Sequence, residues 1–308
     1  MNLSDCTLCP RECHVNRDAG QTGYCGQTSN IAASRAALHM WEEPCISGTH
    51  GSGTVFFNGC NLHCIFCQNH VISRAVNVHN EGSKVISISR LSEIYLELQE
   101  KGAHNINLVT PTHYVPQLIE SIKLAKKCGL NIPIVYNTGS YEKVEALRML
   151  EGYIDIYLPD LKYFSSDISR RYSNAPDYFN YASAAIAEMY RQVGNPVFDS
   201  DLDINENALM KKGVIVRHMM LPGCLKDSKQ ILQYLYQTYG NSIYISILNQ
   251  YTPMPQVSGI PDLNRKVTVK EYDALIDYAL SIGIENAFIQ EGDTAEESFI
   301  PSFNGEGI

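Results

Sequence analysis

Three cysteines in one short loop are the residues of this chain best placed to do chemistry. Residues 58–70 read NGCNLHCIFCQNH, with three and then two residues separating Cys60, Cys64 and Cys67, and with no fourth cysteine close behind. A loop this compact can bring three sulfurs around one metal centre. Zinc would ask for a fourth ligand, and His63 or His70 stands close enough in sequence to complete a structural zinc site. An iron–sulfur cube held by three thiolates instead keeps one iron open to a small molecule. On that reading the missing cysteine is the informative feature.

A second set lies upstream. Residues 6–26 read CTLCPRECHVNRDAGQTGYCG and supply Cys6, Cys9, Cys13 and, after a loop with Gly20 and Gly23, Cys25. Four thiolates make a closed site, and the spacing suits either structural zinc or a fully ligated second iron–sulfur cluster. Of the ten cysteines, Cys45 and Cys128 have no partner in sequence and read as structural. Cys224 could donate a hydrogen atom or bind metal, although a lone cysteine is more often inert packing.

The elements that must position these groups alternate between strand and helix from about residue 54 onward. Candidate strands are TVFFNG, NINLVT, IPIVYNT, IDIYLPD, VIVRHMML and IYISILN, starting at 54, 105, 132, 154, 214 and 243, with NAFIQ from 286 as one more. Between them Leu91, Ile94, Tyr95 and Leu98 recur at helical spacing, as do Leu118, Ile119, Ile122 and Ala125 in a helix expected to start at Pro116 and stop at Gly129. Further helices are expected near 140–151, 181–193 and 228–239, and Thr268 with Glu271 forms a capping-box pattern opening another that Gly283 closes. Repeated strand-helix units build a parallel sheet, and about six of them curl into a complete or partial (β/α) barrel whose ligands sit where strands end. The stretch 165–207, with its acidic run DSDLDINEN, reads as a long irregular crossover that is expected to be mobile.

Placed directly after the first barrel strand, GCNLHCIFCQN resembles the cluster-binding loop of the radical S-adenosylmethionine (radical SAM) superfamily. The resemblance implies a partial α/β barrel with a 4Fe-4S cluster on Cys60, Cys64 and Cys67. It also implies that S-adenosylmethionine chelates the fourth iron and is cleaved reductively to methionine and a 5'-deoxyadenosyl radical. Phe66 matches the aromatic that lies beside the adenine, and it could equally pack the loop. Where many members carry Gly-Gly-Glu to bind the SAM amino group, this chain has Thr110, Pro111 and Thr112; the two hydroxyls could take that role, or Thr112 could cap the following helix. His113 and Tyr114 stand at the same mouth, where an imidazole could serve proton transfer.

YNTGS and LPDLK are similar to the corresponding segments of the glycyl-radical activating enzymes, pyruvate formate-lyase activating enzyme among them. That likeness implies that Asn137, Thr138 and Asp160 face a monovalent cation beside the SAM carboxylate. Asn137 departs from the usual aspartate and removes one charge, and Lys162 could supply positive charge instead; an ordinary Asp160–Lys162 ion pair is the plain alternative. VIVRHMMLPG matches the arginine-bearing fifth strand, where Arg217 and His218 alternate faces so that only one points inward. Asn249, Gln250 and Tyr251 cluster hydrogen-bonding groups suited to ribose, adenine or substrate. The N-terminal cysteine set and the run EPCISGTHGSGTVFF resemble a group of radical SAM proteins named for similarity to pyruvate formate-lyase activating enzyme. Unlike the true activators, residues 71–104 contain no cysteine.

The chain of 308 residues with net charge -9 shows no Lys/Arg-rich stripe for nucleic acid, no apolar run long enough to span a membrane and no secretory start. A cysteine-rich extension over 1–45 and a barrel over 46–308 are expected, in a reducing cytoplasm. The resemblance implies an oxygen-sensitive oxidoreductase working anaerobically with a donor such as flavodoxin or ferredoxin, on a protein, peptide or small molecule. No residue is assigned to acid-base catalysis. The competing class is an electron-transfer or metal-binding protein with closed sites, which would not cleave SAM.

Overall fold

The structure, a computed structural model, describes residues 2–74, 82–199, 208–290 and 301–308. Its strands in chain order are β1 (Ile31–His39), β2 (Ser52–Phe57), β3 (Lys84–Ile86), β4 (Ile106–Val109), β5 (Ile134–Thr138), β6 (Ile156–Pro159), β7 (Val197–Phe198), β8 (Met210–Met219), β9 (Tyr244–Leu248) and β10 (Ala287–Ile289). The helices are α1 (Pro44–Ser47), α2 (His70–Ser73), α3 (Ile88–Glu100), α4 (Val115–Lys127), α5 (Val144–Met149), α6 (Ser166–Ser173), α7 (Tyr178–Val193), α8 (Leu225–Tyr239) and α9 (Val269–Ser281). The sheet runs β10-β9-β8-β6-β5-β4-β2-β1-β3, and it does not close on itself. From β2 to β10 the neighbours are parallel; β1 pairs antiparallel with both β2 and β3, and β7 pairs antiparallel with β8. The fold is therefore an α/β partial barrel.

Alternate residues divide the parallel strands between two cores, as the two-residue period of a strand requires. Tyr136, Tyr157, Val214 and Val216 join the large core beneath the helices. Val135, Ile156, Leu158, Ile215 and Tyr244 face the other way and pack on Cys45 and Ile46. Residues 44–47 thus plug the concave side, held there by the Asn105 amide, which donates to the Ile46 carbonyl at 2.7 Å. Strands covered on both faces read as apolar runs, which is why β5 and β9 are buried throughout.

Most expected elements form within a few residues of their expected limits. The Thr268–Glu271 capping box is present, with both reciprocal bonds. Three expectations need correction. α4 begins at Val115 with Tyr114 as the flanking residue, so Thr112 does not cap it. Residues 165–199 are not irregular: α6 and α7 occupy most of them, and the run 200–207 lies outside the described residues. The strands β1 and β3 were not anticipated, because they pair antiparallel at the edge of the sheet, outside the repeated parallel strand-helix units. Residues 301–308 lie along β1, Ala36 donating to the Glu306 carbonyl at 2.8 Å and Gly305 to the Ser34 carbonyl at 3.0 Å.

Because Ile46 is fully buried in the plug, Ile46→Ala is expected to lower unfolding stability by about 3 kcal/mol through the cavity it leaves. Denaturant titration checks this; a loss below about 1 kcal/mol would mean that the plug does not pack as described.

Candidate active site

A cavity of about 390 Å³ opens where the parallel strands end. That volume suits a nucleotide-sized molecule. The 58–69 loop after β2 supplies Cys60, Cys64, Phe66 and Cys67; β4 is followed by Thr110, β5 ends in Asn137 and Thr138, β6 is followed by Asp160 and Lys162, β8 carries Arg217, and Gln250 and Gln290 follow β9 and β10. The floor adds Trp41 and Glu42 from the plug segment. Asn58 anchors the loop base: its carbonyl meets His113 Nε2 at 2.6 Å and its side chain bonds Ser83 at 2.6 Å.

The three sulfurs are supported as thiolates would need. Leu62 N–H points at Cys60 Sγ from 3.3 Å, and the Ser173 hydroxyl donates to Cys64 Sγ at 3.0 Å. Burial pushes the Cys60 thiol up to about 12 and raises Cys67 as well, so metal loading must displace protons and strengthens as pH rises. Phe66 is buried edge-on against Tyr163, Tyr172 and Tyr251. Neither histidine completes a zinc site here. His63 stacks on Tyr24 at 4.7 Å between ring centroids, and burial, helped by Arg74 and Arg11, lowers it to about 4. Among the described residues no three His, Cys, Asp or Glu side chains converge closely enough to hold a single ion. Three separated thiols facing a cavity fit a cube better than one zinc.

The same cavity is lined by a network of charges. Arg217 donates from Nε to Asp160 Oδ1 at 2.8 Å, from Nη1 to Glu42 Oε2 at 3.1 Å and from Nη2 to Asn137 Oδ1 at 2.6 Å. Lys162 Nζ donates to Asp160 Oδ2 at 2.6 Å, and Asn107 donates to Glu42 Oε1 at 3.0 Å. Burial opposes ionisation of Asp160, but Arg217 and Lys162 override it and lower its pKa. The positive charge beside Asp160 thus comes from two side chains, on oxygens expected to face a monovalent cation. A guanidinium has five donors; the three bonds just given leave two for a ligand.

Several expected positions lie elsewhere. His218 faces away from Arg217, its Nδ1 on the Leu161 carbonyl at 2.8 Å. Thr112 and Asn249 do not line the cavity. Thr112 donates to buried Glu142 Oε1 at 2.6 Å, Thr138 does the same at 2.6 Å, and Asn249 N–H is held by Gln290 at 2.9 Å. His113 is buried away from the cavity and lowered to about 3, first by burial and then by Arg17. Thr110 does line it, with φ 55 and its N–H on the Asn137 carbonyl at 2.9 Å. Glu42, Trp41 and Gln290 were missed; only the apolar pair Cys45–Ile46, which begins three residues after Glu42, could have pointed to the first two.

Comparison with known proteins places this geometry. The family model described as the radical SAM superfamily matches residues 54–224. An uncharacterized protein of Methanocaldococcus jannaschii is 28% identical over 284 residues, covering 90% of this chain and 75% of that one. SuiB of Streptococcus suis bound to S-adenosylmethionine is similar at 15% identity and TM-score 0.48, over 76% of this chain and 49% of SuiB, so the chain spans about half the length of that protein. A domain of pyruvate-formate lyase-activating enzyme from Bacteroides vulgatus is similar at 14% identity and TM-score 0.38, over 57% of this chain and 93% of that domain.

Glu142, beneath the site, gives a pH test. Burial pushes its carboxyl from 4.5 up to about 7, against hydrogen bonds from Thr112, Thr138 and Tyr136. The folded chain then keeps a proton that the unfolded chain releases, so this group's stabilisation is full below about 4.5 and is lost by about 7. The difference is on the order of 3 kcal/mol. Unfolding midpoints between about pH 4 and pH 8 should show the decline in the native sequence and a flatter profile in Glu142→Gln, which keeps the accepting oxygen; identical profiles would refute the assignment.

Proposed function

The chain belongs to the radical SAM superfamily, and from that premise we propose that Cys60, Cys64 and Cys67 hold its 4Fe-4S cluster while the cavity beside them binds S-adenosylmethionine. The family implies both groups, and the donor set fits them. Together they supply reductive cleavage of the sulfonium to methionine and a 5'-deoxyadenosyl radical that takes hydrogen from a substrate. The observation that carries the reading is the opening of three thiols, with no fourth protein ligand among the described residues, onto a cavity that Arg217 also lines.

The chain's own residues would bind and orient. Two free Arg217 donors and the remaining Lys162 donors suit a carboxylate, and Asp160, Asn137 and Glu42 hold Arg217 in place. Thr110 presents an oxygen-bearing edge for an ammonium group, and Phe66 an apolar face for adenine. Gln250 and Gln290 add paired donors and acceptors at the opposite rim. Glu43, buried below with Oε2 unpartnered among the described residues, is pushed up by burial, as is Glu42, and the Arg217 charge opposes the rise in both. The Lys162–Asp160 pair stands where a monovalent cation would otherwise offset charge.

The likeness of YNTGS and LPDLK to the glycyl-radical activating enzymes supports an activase as the narrower reading, with a low-potential flavodoxin or ferredoxin as donor. A stable glycyl radical on a partner protein, seen by electron paramagnetic resonance, separates it from modification of a peptide or small molecule.

Reduced, iron-reconstituted protein is expected to form 5'-deoxyadenosine from S-adenosylmethionine under anaerobic conditions, and Cys64→Ala to lose both the cluster absorbance and the product. Arg217→Lys, which cannot reproduce the fork, should keep its iron and weaken SAM binding about tenfold or more. An intact cluster with no product in the native sequence would defeat the reading.

A further inference from the structure

Arg17 is a buried cation without a carboxylate. It is only 1% exposed, yet its guanidinium bonds carbonyl oxygens alone: Nε to Gln27 at 3.1 Å, Nη1 to His113 at 2.7 Å and Nη2 to Thr28 at 2.6 Å. No carboxylate lies within ion-pair reach among the described residues. A charge so placed costs several kcal/mol unless an anion sits nearby. Its one remaining neighbour of that kind is sulfur, with Nη1 4.0 Å from Cys6 Sγ.

The other N-terminal cysteines share that neighbourhood. Cys6 N–H donates to the Val15 carbonyl at 3.1 Å and His14 N–H to the Cys6 carbonyl at 3.0 Å, which folds Cys6 back against the two residues directly after Cys13. Tyr24 N–H donates to Cys13 Sγ at 3.2 Å, and a Cβ on Gly23 would strike that sulfur at 2.7 Å, so the loop is shaped around it. These four thiols, like the three at 60–67, are not gathered for a single ion among the described residues. Zinc draws its sulfurs to about 2.3 Å; a cube holds them farther apart.

The set is also seated against the 60–67 loop. A Cβ on Gly59 would meet the Cys25 carbonyl at 2.5 Å, so these backbones touch immediately before Cys60. Arg11, between Cys9 and Cys13, donates from Nε to the Asn61 carbonyl at 2.8 Å, and its guanidinium lies 3.8 Å from the Tyr24 ring. The Asn61 carboxamide in turn bonds the Tyr141 carbonyl at 2.6 Å, which fixes the loop residue that Arg11 grips.

We propose that Cys6, Cys9, Cys13 and Cys25 hold a second iron–sulfur cluster whose negative charge Arg17 neutralises, and that the Gly59–Cys25 and Arg11–Asn61 contacts couple it to the site at Cys60, Cys64 and Cys67. This extends the function proposed above, on which the identity of the first site rests. A cube with four thiolates is anionic, which supplies the counter-charge Arg17 lacks. Charge and hydrogen bonds at sulfur set a cluster's potential, so Arg17, 4.0 Å from Cys6 Sγ, is a positioning residue for its redox poise.

The test is metal content and spectroscopy of the anaerobically reconstituted full chain. About eight irons per chain and no zinc are expected, against about four irons with one zinc, or four irons alone, which would overturn the proposal. Removing Cys60, Cys64 and Cys67 together should leave about four irons, as should removing the four N-terminal cysteines. Loss of all iron in the first variant with retention in the second would defeat the second cluster and spare the first; the reverse would defeat the function reading and spare the second cluster. In the fully reduced native protein, the electron paramagnetic resonance spectrum should differ from the sum of the two variants, and an additive spectrum would refute the coupling. Arg17→Gln should shift the second cluster's midpoint to more negative potential; an unmoved midpoint in the folded, fully loaded variant would refute its role.

Discussion

Neutrality of charge in a water-poor interior is the constraint to which this chain's polar architecture answers. Around Arg217 it is met by two carboxylates and an amide oxygen, with Lys162 balancing the second oxygen of Asp160. These groups come from three strand ends, those of β5, β6 and β8, and from the plug. The network therefore exists only when the sheet has its full curvature and the 41–47 segment is seated. A partly folded barrel would expose separate charges to water, and the site would lose its shape along with its fold. This is the physical sense in which the plug is functional: it brings Glu42 to Arg217 and at the same time fills the concave core through Ile46.

Much of the barrel was legible because parallel strands buried on both faces leave continuous β-branched runs, and each is followed by an amphipathic helix with ordinary stop signals. The 60–67 cysteine loop stood out by its spacing, which by itself left zinc and an iron–sulfur cube both open. What escaped were elements whose cause is not local. β1 is held by β2 and β3 and by the 301–308 tail, none adjacent in sequence to all the others. Glu42 has no local pattern marking it; it matters only because Arg217 is 3.1 Å away across 175 positions. Thr112 and Thr138 show the converse, since hydroxyls at strand ends invite assignment to a ligand, yet Glu142 four residues beyond Thr138 claims both.

Glycine and left-handed backbone do the close work at the loop. Gly59, at φ +83, lets the chain pass against the Cys25 carbonyl where any side chain would collide, and His63 adopts φ 55 between Cys60 and Cys64. Non-glycine residues pay a strain of about 1 kcal/mol or more for such a conformation. His63 holds it because its ring is stacked on Tyr24 and buried, so the N-terminal segment fixes the geometry of the loop.

That dependence runs in both directions and makes the first thirty residues inseparable from the barrel. Arg11 places three donors on the carbonyls of Asn61, Asn174 and Ser173, and Arg17 reaches the His113 carbonyl from the far side. Gln117 donates to the Ser29 carbonyl at 2.6 Å, and Tyr114 both donates to Gln27 and accepts from Ala32 N–H. Each buried bond of this kind, once its partner is withdrawn, leaves a polar group unsatisfied at a cost of about 1–3 kcal/mol. Several lost together would exceed a large share of a domain's net stability of about 5–15 kcal/mol. The two cysteine sets are thus held by one cooperative structure, in which disturbing either loop is felt at the other through Arg11, Tyr24 and the Gly59–Cys25 contact.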